Sequence, residues 1–276
     1  MARTACSFPP TRDCWTSCGI PTTRSIAQIS SWPRGKPTLA GSAPPDLKVL
    51  AFDVFGTVVD WRSGVIAELT AIARERNLAV DAAAVADAWR KRYQPFLDRV
   101  CRGEAPWQVL DKLHRAGLDE VVREFALDQL SEADLDRLVL AWHHLPPWPD
   151  AVRGLTRLRT RFVLATLSNG GMALLVDLAR SADLPFDCIL STELVRSYKP
   201  DPRTYQLVTS LLAVRPDQAM LVAAHPYDLA AAAEQGMRTA FVRRPQEWGT
   251  GKAEAPDFSV DIMAGDFIDL ATQLGA

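Results

Sequence analysis

Short apolar runs closed by turn residues punctuate the chain from residue 47 onward. Lys48–Phe52, Arg161–Leu167, Cys188–Leu190, Ala219–Ala223 and Thr239–Val242 each read as a buried strand. Between them, Met172–Ser181, Arg203–Ala213 and Leu229–Gln235 carry apolar positions at helical spacing. Strands alternating with helices predict an α/β fold with a parallel, doubly wound sheet. Residues 62–146 are the exception: they hold only helical periodicity, in Ala82–Val100, Trp107–Ala116 and Glu132–Trp142. An insertion directly after the first strand stands at the carboxyl edge of the sheet, where open α/β sheets bind ligands, and is placed to act as a lid. The expected organisation is a core from 47–61 and 147–276, a helical cap over 62–146, and a leader over 1–46.

The leader reads differently from the rest. Residues 1–45 are rich in Ser, Thr and Pro and carry Arg3, Arg12, Arg24, Arg34 and Lys36 against the single acid Asp13. That balance suits an organellar transit peptide, but the prolines break any long amphipathic helix and there is no apolar segment for secretion. An unstructured extension or a mis-assigned translation start is the plainer reading. At 276 residues with 48% hydrophobic and 23% charged positions, the chain can build a real interior. A net charge of −2 gives no basic surplus for a nucleic-acid backbone. Cys6, Cys14 and Cys18 cluster in the leader while Cys101 and Cys188 stand alone, fitting neither a disulfide framework nor zinc ligands and pointing to a reducing, cytoplasmic setting. No apolar run reaches the roughly 18 to 20 residues of a membrane-spanning helix.

Candidate chemistry gathers at the strand ends. Asp53 closes the first strand and leads into Val54–Phe55–Gly56–Thr57; alone, this segment reads equally as an Asx turn or as a displayed nucleophile. Three later strand ends supply Ser168–Asn169–Gly170–Gly171, Tyr198–Lys199–Pro200 and His225–Pro226–Tyr227–Asp228. Ser168 and Asn169 precede a helix and can cap it or offer hydroxyl, amide and helix-terminal N–H donors to an anion. Lys199 is either a solvated charge or a cation that keeps Asp53 ionised. Phe55 and Tyr227 flank the two acids and suit an apolar wall around a small substrate. The aromatics Trp89, Tyr93, Phe96, Trp107, Trp142 and Trp148 read as packing, and His143–His144 before Pro146–Pro147 as a helix end and hinge.

The order of these motifs, with a cap after the first, resembles the haloacid dehalogenase superfamily over residues 48 to 272. Within it FDVFGTVVDW (52–61), AWRKRYQPF (88–96), LSNGG (167–171) and YKPDPRTY (198–205) are similar to the type II 2-haloacid dehalogenases. The resemblance implies a Rossmann-like core with an inserted helical cap, a homodimer, and hydrolysis of short 2-haloalkanoates through an aspartyl ester without cofactor or metal. By matching position it makes Asp53 the nucleophile, Thr57 its hydrogen-bond partner, Arg90 the halide acceptor, Ser168 and Asn169 the holders of the substrate carboxylate, and Lys199 and Tyr205 the residues that order Asp53 and that carboxylate. Asp228 would position or activate the hydrolytic water. Arg90 otherwise reads as a surface helix charge. Phe55 stands where the superfamily's phosphatases place a second acid, and Ala223 and Ala224 stand where its metal-binding members place a glycine and an acid; magnesium wants several hard oxygens, so no metal is expected. The chain departs from the family pattern at Ala223, in place of a serine, and at His225, in place of an asparagine. His225 reads as a packed core histidine or as a halide or water contact whose charge varies near neutral pH. A magnesium-dependent small-metabolite phosphatase and a non-catalytic member of the fold are the alternatives.

Overall fold

The computed structural model describes residues 44, 46–249, 251 and 255–276. The leader, apart from Pro44 and Asp46, lies outside the described residues. Five strands, β1 (Val49–Phe52), β2 (Val163–Thr166), β3 (Ala219–Ala223), β4 (Arg238–Val242) and β5 (Ile262–Ala264), form one parallel sheet in the order β2-β1-β3-β4-β5. β1 and β3 are buried along their whole length, as expected for strands covered on both faces. Alternate side chains enter two cores: Leu50, Phe52, Met220 and Val222 on one face, Val49, Ala51, Leu221 and Ala223 on the other. Register positions the site. Phe52 is level with Thr166 on one side and Val222 on the other, so the loops leaving β1, β2 and β3 emerge together.

Helices α1 (Trp61–Arg76), α2 (Ala82–Lys91), α3 (Tyr93–Cys101), α4 (Leu110–Glu124) and α5 (Glu132–Ala141) intervene between β1 and β2 and form the cap. Asp60, Asp81 and Ser131 accept backbone N–H groups at the starts of α1, α2 and α5, which is why these helices begin where they do. Trp61 of α1 stacks on Trp142, just past α5, with centroids 6.1 Å apart. The core helices are α6 (Ala151–Leu158), α7 (Met172–Ser181), α8 (Pro202–Leu211), α9 (Pro226–Glu234) and α10 (Phe267–Gln273); Phe267 of α10 meets Phe52 edge-on at 5.5 Å.

Several boundaries depart from the sequence reading. The continuous helix expected over 82–100 is broken at Arg92, and α4 starts later and runs further than Trp107–Ala116. Cys188–Leu190 makes no strand: Cys188 forms only an isolated bridge to Ala165 at the sheet edge. The final strand instead comes from β5, too short to show a pattern. His143 is not merely a helix end, since its ring lies between Asp177 at 2.7 Å and Asp111 at 3.4 Å, tying α7 to α4. Among the described residues, no helix is long and apolar enough to cross a membrane.

Candidate active site

Asp53 leaves β1 into a tight turn that other segments hold. Gly56 has φ +80°, a left-handed conformation that favours glycine. Its carbonyl accepts from Trp148 Nε1 at 2.9 Å, and the Thr57 carbonyl accepts from Arg244 Nε at 2.8 Å, with Arg244 paired bidentately to Asp150. The Thr57 hydroxyl therefore has a fixed role: its oxygen accepts the Ala224 N–H at 3.0 Å and its proton goes to Asp53 Oδ2 at 2.7 Å.

A lysine joins the two strand-end acids. Lys199 Nζ lies 3.3 Å from Asp53 Oδ1 and 2.5 Å from Asp228 Oδ2, with its side chain 2% exposed. The Lys199 backbone N–H is held by Asn169 Oδ1 at 2.9 Å, so the amide of Asn169 aims the lysine. The Tyr205 hydroxyl donates to Asp228 Oδ1 at 2.7 Å, one step removed from Asp53. Burial opposes ionisation of Asp53, but Lys199, then His225 and Thr57, outweigh it and hold the carboxyl well below its ordinary range. Asp228 is shifted upward, by burial first, against the pull of Lys199 and with a further push from Asp53. Lys199 stays charged because Asp228 and Asp53 overcome its burial.

His225 is not a histidine satisfied by packing. Its Nδ1 lies 3.0 Å from Asp53 Oδ2 and its Nε2 3.0 Å from Glu247 Oε1. Burial disfavours the cation, but Glu247 and Asp53 push the imidazole up to about 10. Its charge thus persists through neutral pH, unlike the variable charge expected from sequence. Glu247, in the loop after β4, went unnoticed in the sequence because it lies beyond every motif and belongs to no periodic pattern.

In the cap, the Arg90 guanidinium stands 4.1 Å from the Tyr93 ring centroid and 5.3 and 5.9 Å from those of Trp61 and Trp142. Its Nη1 is buried without a hydrogen-bond partner among the described residues, which no surface helix charge would be. His114 was also missed. It is buried, unpartnered at both nitrogens among the described residues and stacked on Trp142 at 4.1 Å; its only sequence signal was a histidine at the apolar spacing of α4. Burial, then Arg90, pushes it well below the ordinary histidine range, keeping it neutral. Phe55 is buried edge-on to Trp142, and Tyr227 stacks over His225.

Ser168 Oγ accepts the Gly170 N–H at 3.1 Å, leaving its proton available. One helix-terminal donor here is already taken, since Met172 N–H donates to Glu193 at 2.8 Å. The donor set does not fit a divalent cation: an ammonium bridges Asp53 and Asp228, the neighbouring positions are Phe55 and Ala224, and no group of three or more His, Cys, Asp or Glu is arranged as ligands among the described residues.

A parallel α/β core with an inserted helical cap, carrying a buried ionised aspartate at the end of its first strand, defines a capped hydrolase-type fold. Residues 47–236 match the model of the haloacid dehalogenase-like hydrolases. The chain belongs to that family. It is 30% identical over 212 residues to (S)-2-haloacid dehalogenase 1 of Pseudomonas sp. (strain CBS-3), covering 73% of this chain and 88% of the relative. The crystal structure of a defluorinating L-2-haloacid dehalogenase is 43% identical, with TM-score 0.81 over 86% of this chain and all of that one. A second L-2-haloacid dehalogenase structure is 45% identical, with TM-score 0.80 over 83% of this chain and 99% of its own.

Proposed function

We propose that this chain hydrolyses the carbon–halogen bond of short (S)-2-haloalkanoic acids, giving 2-hydroxyacid and halide through an Asp53 ester and without a metal ion. The observation that carries the reading is a pair of charges in one buried site: an ionised Asp53, and an Arg90 nitrogen with no hydrogen-bond partner among the described residues. Asp53 attacks C2, the carbon–halogen bond breaks, and its electron pair leaves on the halide, which the Arg90 guanidinium receives among Trp61, Tyr93 and Trp142. The free Ser168 proton suits the substrate carboxylate. Water then attacks the ester carbonyl with Asp228 as its base, and the Lys199 ammonium steadies the charges of both acids.

The phosphatase alternative finds no support in the donor set: Phe55 stands where a phosphatase would place its second acid, and the Lys199 ammonium occupies the position between Asp53 and Asp228 that a cation would take. A cytoplasmic location accords with Cys101 and Cys188, both free thiols. The test is halide release from each enantiomer of 2-chloropropionate in EDTA, beside p-nitrophenyl phosphate hydrolysis with Mg²⁺; fluoride from 2-fluoropropionate is followed too, since one neighbour is a defluorinating enzyme. Chloride from the (S) enantiomer alone, undiminished by EDTA, is expected. Magnesium-dependent phosphate release with no halide would overturn the reading.

A further inference from the structure

The chemistry around Asp53 is asymmetric between its two oxygens. Oδ2 accepts from the Thr57 hydroxyl at 2.7 Å and from His225 Nδ1 at 3.0 Å, whereas Oδ1 has, among the described residues, only Lys199 at 3.3 Å. The oxygen held by two short donors is pinned, and the other keeps the lone pair free to attack. Alkylation at Oδ1 leaves Oδ2 as the carbonyl oxygen of the ester, with both donors still aimed at it. Two donors converging on a carbonyl oxygen are what a tetrahedral oxyanion requires.

His225 can donate to Asp53 and Glu247 together only as a cation. A neutral imidazole has one N–H and one lone pair, and would turn that lone pair toward one of two carboxylates; the imidazolium donates to both. Glu247 is built for this role. Its side chain is 6% exposed, and its Oε1 accepts from Trp61 Nε1 at 3.1 Å as well as from His225 Nε2 at 3.0 Å. The fold makes room for it: a Cβ on Gly56 would overlap the Glu247 carboxylate. Arg90 adds to the ionisation of Glu247, after burial has opposed it and His225 has favoured it. The groups around His225 are therefore Asp53 and Glu247 on its two nitrogens, Tyr227 stacked at 5.8 Å, Arg90 from the cap toward Glu247, and Lys199 and Asp228 on the other oxygen of Asp53.

We propose that Glu247 is a positioning residue that fixes His225 as an imidazolium, and that His225 Nδ1–H and the Thr57 hydroxyl form the oxyanion hole in which the Asp53 ester is hydrolysed. The inference rests on the ester-forming reading above. Water attacks Cγ and gives one proton to Asp228, while the carbonyl electron pair moves onto Oδ2 between Thr57 and His225. The pair returns, the Cγ–Oδ1 bond breaks, and the departing hydroxyacid oxygen takes that proton by way of Lys199. The second water proton, left on the regenerated Asp53 carboxyl, passes to solvent. Alkylation needs no such hole, so Glu247 acts on the second half-reaction.

The experiment uses full-length Glu247→Gln, whose amide oxygen still accepts from Trp61, with (S)-2-chloropropionate, rapid quench and intact-protein mass. A first burst of chloride within about threefold of wild type is expected, followed by a steady-state rate lower by about tenfold or more, the scale of a weakened oxyanion-hole donor. The ester should accumulate on the protein, and the steady-state rate should fall as pH rises toward 9 where wild type stays flat. Glu247→Asp, which keeps the charge, should restore the flat profile. In a His225→Asn background, Glu247→Gln should change nothing further. An unchanged steady state and pH profile, equal slowing of burst and steady state, or an undiminished effect without His225 would each overturn the proposal. A wild-type enzyme that releases no halide would instead overturn the dehalogenase reading, and this inference with it.

Discussion

The Lys199 ammonium lies 2.5 Å from the Asp228 carboxylate, with side chains 2% and 1% exposed. A buried ion pair stripped of one member leaves an uncompensated charge. Lys199→Ala should therefore destabilise the protein by roughly 3–5 kcal/mol and abolish halide release. Chemical denaturation and a halide assay check both. A fully stable, inactive variant would mean that Asp228 takes up a proton with little cost.

Arg90→Lys keeps the positive charge but loses the flat guanidinium that lies over Tyr93. Because the role proposed for it is to receive the departing halide, kcat should drop by about 10²-fold or more. Stability should change by about 1 kcal/mol, the scale of an aromatic contact to a cation. Steady-state kinetics beside thermal melting separates the two; a collapsed melting temperature with kcat retained would make Arg90 structural.

Gly56→Ala should strain the turn by about 1–2 kcal/mol through its left-handed backbone. It should also push Glu247 off His225. The variant is expected to lose activity with rising pH as Glu247→Gln does, whereas a loss of stability with an unaltered pH profile would limit Gly56 to its backbone role.

His143 gives a pH-dependent tie between α4 and α7. Asp111, 3.4 Å from its Nε2, raises its pKa in the folded protein against burial, and the hydrogen-bonded Asp177 adds to that. A raised folded pKa means the stabilisation is complete below the unfolded value, near 6.5, and is lost as pH climbs through the folded one. Wild type should thus exceed His143→Gln by on the order of 1 kcal/mol near pH 5.5, with the gap closing at alkaline pH. Urea denaturation at several pH values measures it, and a constant gap would assign His143 a packing role.

The strands and strand-end acids were legible because a parallel sheet writes its buried strands as apolar runs and its site at their ends. Asp53 and Asp228 are spread over 176 positions, yet both follow apolar runs that become neighbouring strands, β1 and β3, which made their meeting foreseeable; Lys199 follows Cys188–Leu190, a run that makes no strand. Glu247 was not legible: a loop acid reaches His225 only through the fold, and no spacing announces it. Tyr205 was placed near Asp53 but spends its hydroxyl on Asp228, a distinction of one side chain's reach that pattern cannot resolve. The break at Arg92 was hidden for a similar reason, since helical periodicity continues across it.

The central claim is that Asp53 carries the substrate as an ester which water opens at Cγ. A single turnover in H₂¹⁸O with enzyme in excess over (S)-2-chloropropionate tests it directly. The account predicts ¹⁸O in the Asp53 carboxylate and an unlabelled hydroxyl in the product. Label in the product hydroxyl on that first turnover would mean that water attacks C2 itself, and would contradict it.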